Sequence, residues 1–378
     1  MILKALKYTR YEDEPREWSI TGSENGYAYF DNICLLVGKN ASGKSRTLNV
    51  IRELAFLLSG CTDLTQTFSP SQKYDVIFES NNFKYRYILD YQDRKVKSEK
   101  LYYNDVLLID RNNGIQADIF GLPVFASVSA SQLIITSKSE NDTFYFREPV
   151  AWGQGIRDYT FANRSDKNVK MRSLPNIDKG EIDLNAPGLL IQTFQKGKKD
   201  FGEKFVNAIK EGMQGVGSDI EDVDVKEKDG FFGISVDEGG YTVMQQDMSQ
   251  GMFRALSLFI MMSYTNLSNH PLCLLIDDMG EGLDFNSSKK MMDIIVKKID
   301  SSNLQFFMTT NDRYVMNQIP LRFWTVIERE YNNKSVFYDY TNSKENFKDF
   351  KYTGLNNFDF LTSGFYRTGF GTMEDDND

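Results

Sequence analysis

Histidine and cysteine are the scarcest chemically reactive residues in this sequence. Among 378 residues there is one histidine, His270, and there are three cysteines, Cys34, Cys61 and Cys273. The histidine is too isolated for a metal cluster or a Ser/His/Asp triad. The cysteines are odd in number and widely spaced, and two lie inside apolar runs, which indicates buried reduced thiols rather than a disulfide framework. Histidine-based hydrolysis and a secreted disulfide scaffold are both disfavoured.

Long hydrophobic runs are also missing. A membrane-spanning helix needs about 20 consecutive apolar residues, and the best candidate, residues 255–262, is far shorter. The first residues lack the continuous apolar segment of a secretory signal. We therefore expect a cytoplasmic protein that does not enter a membrane.

The sequence also has no excess of basic residues. Lysine and arginine total 44 against 53 acidic residues, so the formal net charge is −9. Such a chain is repelled by nucleic-acid backbones unless a local basic patch compensates. Two lysine clusters, at 196–199 and 289–298, are interpreted as solvated faces.

A glycine-rich segment with a complete phosphate-binding pattern follows the apolar run 33–37. Its eight residues are Gly38, Lys39, Asn40, Ala41, Ser42, Gly43, Lys44 and Ser45, and they match GxxxxGK[ST] in full. The next residues, from Arg46 to the stop at Gly60, place apolar side chains at helical spacing. Strand, loop and helix thus occur in the order that a P-loop requires.

The P-loop pattern predicts ATP as the ligand and Mg²⁺ as its companion ion. Backbone N–H groups of the loop would cradle the phosphates, Lys44 would reach the β- and γ-phosphates, and Ser45 would ligate Mg²⁺. We expect Arg46, the residue after Ser45, to contact the nucleotide as well.

An apolar run ending in two carboxylates forms the second element. In LCLLIDDMGEGLD, Asp277 is placed to hold Mg²⁺ through water, and Asp278 stands where a water-positioning base would stand. Glu281 follows in the turn and is a further candidate for the catalytic acid or base.

A third element, MSQGMFRAL, places Ser249 and Gly251 at the start of a predicted helix. A serine hydroxyl and a glycine N–H at a helix N-terminus can both donate to a γ-phosphate. The signal is weak alone, and it gains weight because it lies between the P-loop and the Asp-Asp strand.

In this order of motifs the chain resembles the ABC-type ATPases of the SMC, RecF and OLD group, in particular compact prokaryotic ATPases associated with phage defence. The resemblance implies a homodimer in which the Ser249 signature acts in trans, a D-loop at 282–284, and a switch strand at 309–311. The family has glutamate at Asp278 and histidine at Asn311, which implies slow hydrolysis with Asn311 in the switch position. Gln132 is the candidate Q-loop residue and metal ligand.

The organisation predicted from these patterns is an α/β fold: a P-loop NTPase core of ABC type with an antiparallel β accessory sheet and an inserted α+β region. We expect one lobe at 1–110 with the P-loop and a β-meander, and an inserted region at 111–215. A second lobe at 216–330 would carry the signature, the Asp-Asp strand and the switch strand. Residues 331–378 would form a C-terminal extension with an acidic tail.

Three functions fit these observations. The first is an ATPase that dimerises on ATP and controls a separately encoded effector in antiviral defence. The second is a DNA-repair clamp that binds nucleic acid, which the net charge of −9 disfavours. The third is a nucleotide-dependent scaffold with little or no turnover. The distance of 233 residues between Lys44 and Asp277 argues against a transporter cassette, and no sustained heptad pattern indicates a long coiled coil.

Overall fold

A large mixed sheet organises most of the chain. The computed structural model describes residues 1–23, 26–80, 82–111, 128–138, 146–160, 166–169, 171–174, 188–268, 272–280, 285–299, 304–330 and 333–371. The strands are β1 Ile2–Arg10, β2 Trp18–Gly22, β3 Ala28–Tyr29, β4 Ile33–Val37, β5 Gln72–Ser80, β6 Phe83–Gln92, β7 Lys95–Tyr103, β8 Val106–Asp110, β9 Ile156–Thr160, β10 Asp222–Lys228, β11 Phe231–Glu238, β12 Tyr241–Met244, β13 Leu272–Asp277, β14 Leu304–Thr309, β15 Trp324–Arg329 and β16 Lys334–Asp339.

The helices lie between and after these strands. They are α1 Lys44–Ser59, α2 Arg147–Gln154, α3 Leu189–Phe201, α4 Glu203–Gly215, α5 Gln250–Ser268, α6 Phe285–Ile299, α7 Arg313–Gln318, α8 Lys344–Asp349, α9 Asn357–Thr362 and α10 Phe365–Thr368. None of the helices in these described ranges combines the length and the apolar character needed to traverse a lipid bilayer.

The chain divides into two compact units. The first comprises 1–158, 273–275 and 305–378, and the second comprises 159–272 and 276–304. The 13-stranded sheet has the order β8-β7-β6-β5-β1-β2-β16-β15-β4-β14-β13-β9, with β3 paired to β1. The first unit therefore contains nearly the whole sheet.

Burial along the strands explains their two kinds of sequence. Every residue of β4 and of β14 is buried, as expected for parallel strands covered on both faces. Along β5, by contrast, buried and more exposed residues alternate, which is the pattern of a strand with one covered face. The predicted strand at 33–37 and the predicted β-meander are confirmed.

The meander differs from the prediction in two respects. It is continuous with the main sheet, because β5 pairs with β1. In addition, β7 begins at Lys95, so only Asp93 and Arg94 connect it to β6. Both residues have positive φ, 50° and 61°, as a two-residue type I′ hairpin requires. A turn of this type in an Asp-Arg pair gives a weaker sequence signal than Asn-Gly.

In the second unit, a hairpin and a helical group carry the structure. The predicted hairpin turn is confirmed: β10 and β11 pair antiparallel, with Asp229 and Gly230 at φ 54° and 76°. Helix α5 packs against α3 and α4. A Cβ added at Gly212 of α4 would lie 2.5 Å from the ring of Phe259 in α5, so the glycine permits this close approach.

Candidate nucleotide-binding site

The loop 38–45 connects the end of β4 to the start of α1 in the first unit. At two of its glycines a side chain would crowd the neighbouring strands. A Cβ at Gly38 would lie 2.4 Å from the Ile327 carbonyl oxygen, and one at Gly43, whose φ is 115°, would lie 3.1 Å from Ser335 Oγ. Ala41 also has a left-handed backbone, with φ 62°. The loop is thus pressed against β15 and β16, with its backbone turned as a phosphate cradle requires.

Lys44, the first residue of α1, reaches back over this loop. Its side chain is buried, and Nζ donates hydrogen bonds to the carbonyl oxygens of Gly38 at 2.8 Å and Lys39 at 3.2 Å. The ammonium group is therefore held beside the N–H groups at the start of α1. Positive charge and helix N-terminal donors together favour a polyphosphate.

The residues around Lys44 differ in exposure. Lys39, Asn40, Ala41, Ser45 and Arg46 are exposed, whereas Ser42 is buried. The first turn of α1 is held by Thr47, whose N–H and Oγ1 both donate to the Gly43 carbonyl. The Ser45 hydroxyl is thus presented at the surface from a fixed helical turn.

A buried chain of hydrogen bonds supports the loop from behind. Trp18 Nε1 in β2 donates to Ser335 Oγ at 3.0 Å, and Ser335 Oγ in β16 donates to the Ser42 carbonyl, also at 3.0 Å. Ser335 is fully buried and Trp18 nearly so. Neither residue could be predicted as part of the site, because no local sequence pattern links positions 18 and 335 to position 42.

We expect Ser335→Ala to weaken the loop's support. The change leaves the Trp18 N–H and the Ser42 carbonyl without this partner, which costs about 1–3 kcal/mol in the free energy of unfolding. ATP affinity should also fall, because the loop is less rigid. Thermal unfolding and ATP titration test this, with Ser98→Ala in β7 as the control. Wild-type values for both quantities in Ser335→Ala would contradict the support role.

The switch segment lies at the same sheet edge as the P-loop. β14 runs parallel to β4 with Thr309 opposite Leu36, so the residues that follow Thr309 leave the sheet beside the start of the loop. Thr310 is buried and Asn311 is exposed. The structure therefore brings Asn311 and the P-loop to one edge of one unit.

The Asp-Asp pair follows the strand next to β14. β13 ends at Asp277, which is half-buried, and its central residues Cys273–Leu275 belong to the first unit. Asp278 has φ 55°, a left-handed conformation that aspartate adopts more readily than most residues. Glu281 and the D-loop at 282–284 lie outside the described residues.

The signature residues occupy the start of α5 in the second unit. Ser249 is exposed, and its Oγ accepts a hydrogen bond from the Met252 N–H at 3.1 Å. This contact makes Ser249 the N-cap of the helix. Because the oxygen accepts here, the hydroxyl proton can still donate to a ligand. Gly251 lies in the first turn, where backbone N–H groups lack helical partners.

Gln132 occupies an exposed turn before the short 3₁₀ helix Ile134–Thr136. The turn is held by Arg111, which donates to the Gln132 carbonyl, and by the buried carboxylate of Glu99, which accepts from the N–H groups of Ile134 and Ile135. The 3₁₀ helix contacts α1. This placement is compatible with a Q-loop, and the role of Gln132 stays a prediction.

Arg46 leaves α1 on the side of Trp18. Its guanidinium lies 4.9 Å from the centre of the Trp18 ring. Burial, followed by the nearby charges of Arg10 and Arg329, lowers the pKa of Arg46. Three arginines thus gather beside the P-loop, in a protein whose net charge is negative.

A family described as "AAA domain, putative AbiEii toxin, Type IV TA system" matches residues 33–317, from the first residue of β4 to α7. The chain belongs to this AAA family. No curated protein matches the chain.

Three solved structures are similar to this AAA family member over most of their length. An Smc head domain bound to the C-terminal domain of ScpA, from Pyrococcus furiosus, has a TM-score of 0.50 at 11% identity, covering 92% of this chain and 99% of that one. The SMC head domain from Thermotoga maritima has a TM-score of 0.45 at 13% identity, covering 89% and 98%. RecF with ATPγS has a TM-score of 0.44 at 14% identity, covering 89% and 98%. The likeness to the Pyrococcus furiosus Smc head domain confirms the predicted fold class, and the family match agrees with the predicted ATPase group.

Proposed function

We propose that this protein binds ATP on the loop 38–45 and hydrolyses it. The observation that carries the proposal is the loop's geometry: tight glycines, a buried Lys44 ammonium over the loop carbonyls, and the start of α1 behind it. The triphosphate would exchange the Lys44 contacts to Gly38 and Lys39 for contacts to its own β- and γ-oxygens. Phosphate release from ATP by the purified protein is the direct test.

We further propose that Ser45 and Asp277 hold Mg²⁺ together with phosphate oxygens and water. The donor set fits this ion, because Mg²⁺ prefers a few oxygen ligands from protein and keeps several waters. The described residues contain no cluster of three acidic, histidine or cysteine side chains that could hold a metal by itself. When bound, the ion would neutralise charge on the phosphates.

Asp278 is our proposed water-positioning base, with Asn311 in the switch position and Glu281 as a second acid. Aspartate is one methylene shorter than the glutamate expected by resemblance. The asparagine amide, unlike a histidine ring, does not take up and release a proton near neutral pH. Both differences favour slow turnover. ATP-driven assembly would then be the main output of the site.

We expect Asp278→Asn to trap ATP. Asparagine keeps the size of the side chain and also tolerates the φ of 55° found here, while it removes the carboxylate charge. Phosphate release should fall about 10²-fold or more with ATP affinity retained, and the ATP-bound dimer should persist in size-exclusion chromatography. Wild-type turnover in Asp278→Asn would mean that another residue positions the water. Glu281→Gln would then be the next variant to measure.

The dimer we propose pairs the P-loop of one protomer with the signature of the other. The exposed Ser249 hydroxyl and the first-turn N–H of Gly251 are donors on the surface of the second unit. Such donors suit the γ-phosphate of a nucleotide held by another copy. ATP would then be part of the interface.

The biological role we propose is control of a separately encoded effector in prokaryotic defence. The family description refers to a toxin of a toxin–antitoxin system, which supports a growth-arresting role. To test this, three cultures are compared. One expresses the wild-type chain alone, one expresses the Lys44→Ala variant, and one expresses the wild-type chain together with the product of the adjacent gene. ATP-dependent growth arrest only in the joint culture supports effector control, whereas arrest by the chain alone makes this chain the toxin.

A further inference from the structure

The chain segment that leads into the signature helix α5 is held by a distant part of the same unit. Residues 166–169 lie beside it in the second unit, and Lys167 Nζ donates a hydrogen bond to the Met248 carbonyl oxygen. The two residues are 81 positions apart in the sequence. Met248 immediately precedes Ser249, so this contact bears directly on the position of the signature.

The Met248 carbonyl needs a partner from outside the helix. Ser249 is the N-cap of α5, and its own carbonyl accepts from the Phe253 N–H at 3.1 Å. The N–H four positions after Met248 is that of Met252, and it donates to Ser249 Oγ instead. Lys167 supplies the bond to the carbonyl. Because a peptide group is planar, a fixed Met248 carbonyl also fixes the direction of the Ser249 N–H in the same peptide.

A buried glutamine fixes the segment that carries the lysine. Gln245 is 2% exposed, and its Nε2 donates to the carbonyl oxygens of Lys167 at 3.3 Å and Val169 at 3.2 Å. Its Oε1 accepts from the Ile234 N–H in β11 at 2.8 Å. Side-chain hydrogen bonds thus join β11, the segment 166–169 and the residues that precede the signature.

The positive charge of Lys167 lies near the end of α5 that usually favours negative charge. The N-terminus of a helix attracts anions, yet the first turn of α5 contains no acidic residue. An anion at the exposed Ser249 hydroxyl would be attracted by the helix terminus and by the lysine together. The placement of this charge therefore agrees with a phosphate at the signature, which in the proposed dimer belongs to the nucleotide of the partner protomer.

We propose that Lys167 is a positioning residue of the composite ATP site. It fixes the peptide between Met248 and Ser249, so that the Ser249 and Gly251 donors face the γ-phosphate held by the partner protomer. The inference rests on the proposed function, in which the signature acts in trans. Loss of the ammonium should damage assembly and turnover, while the chain's own P-loop still binds nucleotide.

The test compares two substitutions of this lysine. Lys167→Met removes the ammonium and keeps a long side chain, whereas the guanidinium of Lys167→Arg can still donate to the Met248 carbonyl. Lys198→Met is the matched control, because Lys198 is also half-buried in the second unit and pairs there with Asp224 at 2.8 Å. The wild type and all three variants are first checked for folding by circular dichroism.

We expect Lys167→Met to lower phosphate release at saturating ATP about tenfold, and to weaken ATP-dependent dimerisation by a similar factor. Binding of a fluorescent ATP analogue, measured at protein concentrations below dimerisation, should keep its wild-type affinity. Lys167→Arg should recover most of the loss, and Lys198→Met should behave as the wild type. A role in overall stability alone would not separate dimerisation from nucleotide binding in this way.

Mixing experiments assign the defect to one side of the composite site. Lys167→Met mixed with Lys44→Ala, which disables the P-loop, should release more phosphate than the two chains give separately. Their heterodimer contains one site with an intact P-loop and an intact signature. Lys167→Met mixed with Ser249→Arg should show no such gain, because both chains are then defective on the signature side.

Wild-type dimerisation and turnover in Lys167→Met would overturn the inference, as would a gain with Ser249→Arg but none with Lys44→Ala. An ATP affinity that falls as far as turnover would also overturn it, because Lys167 would then support the P-loop or the fold. If Lys167→Met does not fold, Lys167→Gln is measured with the same expectations. Failure of both to fold would make Lys167 a structural residue and overturn the inference.

A mixture of Lys44→Ala and Ser249→Arg separates this inference from the proposed function. If these two chains form heterodimers without a gain in activity, the proposed composite site and the role of Lys167 fall together. If they do regain activity while Lys167→Met behaves as the wild type, only the role of Lys167 is refuted.

Discussion

A Lys44→Ala chain should bind ATP at least a hundredfold more weakly than the wild type. The Lys44 ammonium is buried beside the loop, within reach of the Gly38 and Lys39 carbonyls. Each charge-assisted hydrogen bond to a phosphate contributes about 1.5–3 kcal/mol, and two such contacts are expected. Titration with a fluorescent ATP analogue measures the loss.

The fold should survive this substitution, because the Lys44 ammonium donates to carbonyl oxygens of the loop. Lys204→Ala, which removes an exposed lysine from α4, is the control for removal of one positive charge. Unchanged affinity in Lys44→Ala would refute the proposed nucleotide site. A loss of folded protein by circular dichroism would mean that Lys44 is a structural residue.

Two inactive variants should restore activity when they are mixed. In the proposed dimer, each ATP lies between the P-loop of one protomer and the Ser249 signature of its partner. Lys44→Ala removes the phosphate contacts, and Ser249→Arg places bulk where the γ-phosphate approaches. The heterodimer then contains one site with both an intact P-loop and an intact signature, and one site with both defects.

Partial ATPase activity, at most half of the wild-type value, is the expected result for this mixture if a single intact site suffices. Ser249→Ala is the matched control, because it removes the N-cap hydrogen bond to Met252 without adding bulk. Differently tagged chains show whether heterodimers form. Heterodimers without recovered activity would argue against independent composite sites. An active wild-type protein that is monomeric at every concentration would rule the composite site out.

Local patterns in the sequence predict the strand, loop and helix that form the candidate nucleotide-binding site. The run 33–37, the glycine loop and the helix that stops at Gly60 are each determined by neighbouring residues, and all three occur as predicted. The turn at Asp229 and Gly230 is equally local. Such elements depend on backbone sterics and on side-chain periodicity, which a single sequence displays.

Long-range pairing could not be predicted in the same way. The neighbours of β2 are β1 and β16, which lie at opposite ends of the chain. Ser335 acts on the P-loop only because β16 is placed there, and nothing near position 335 signals this.

The hydrogen bond from Ser335 to Ser42 also bears on the order of events during synthesis. It joins residues 293 positions apart, so a ribosome would release the P-loop long before it releases the strand that braces it. Contacts of such high sequence separation form late and slowly. A nascent chain would therefore carry an unbraced phosphate loop for most of its translation, and firm nucleotide binding would begin only after β16 joins the sheet.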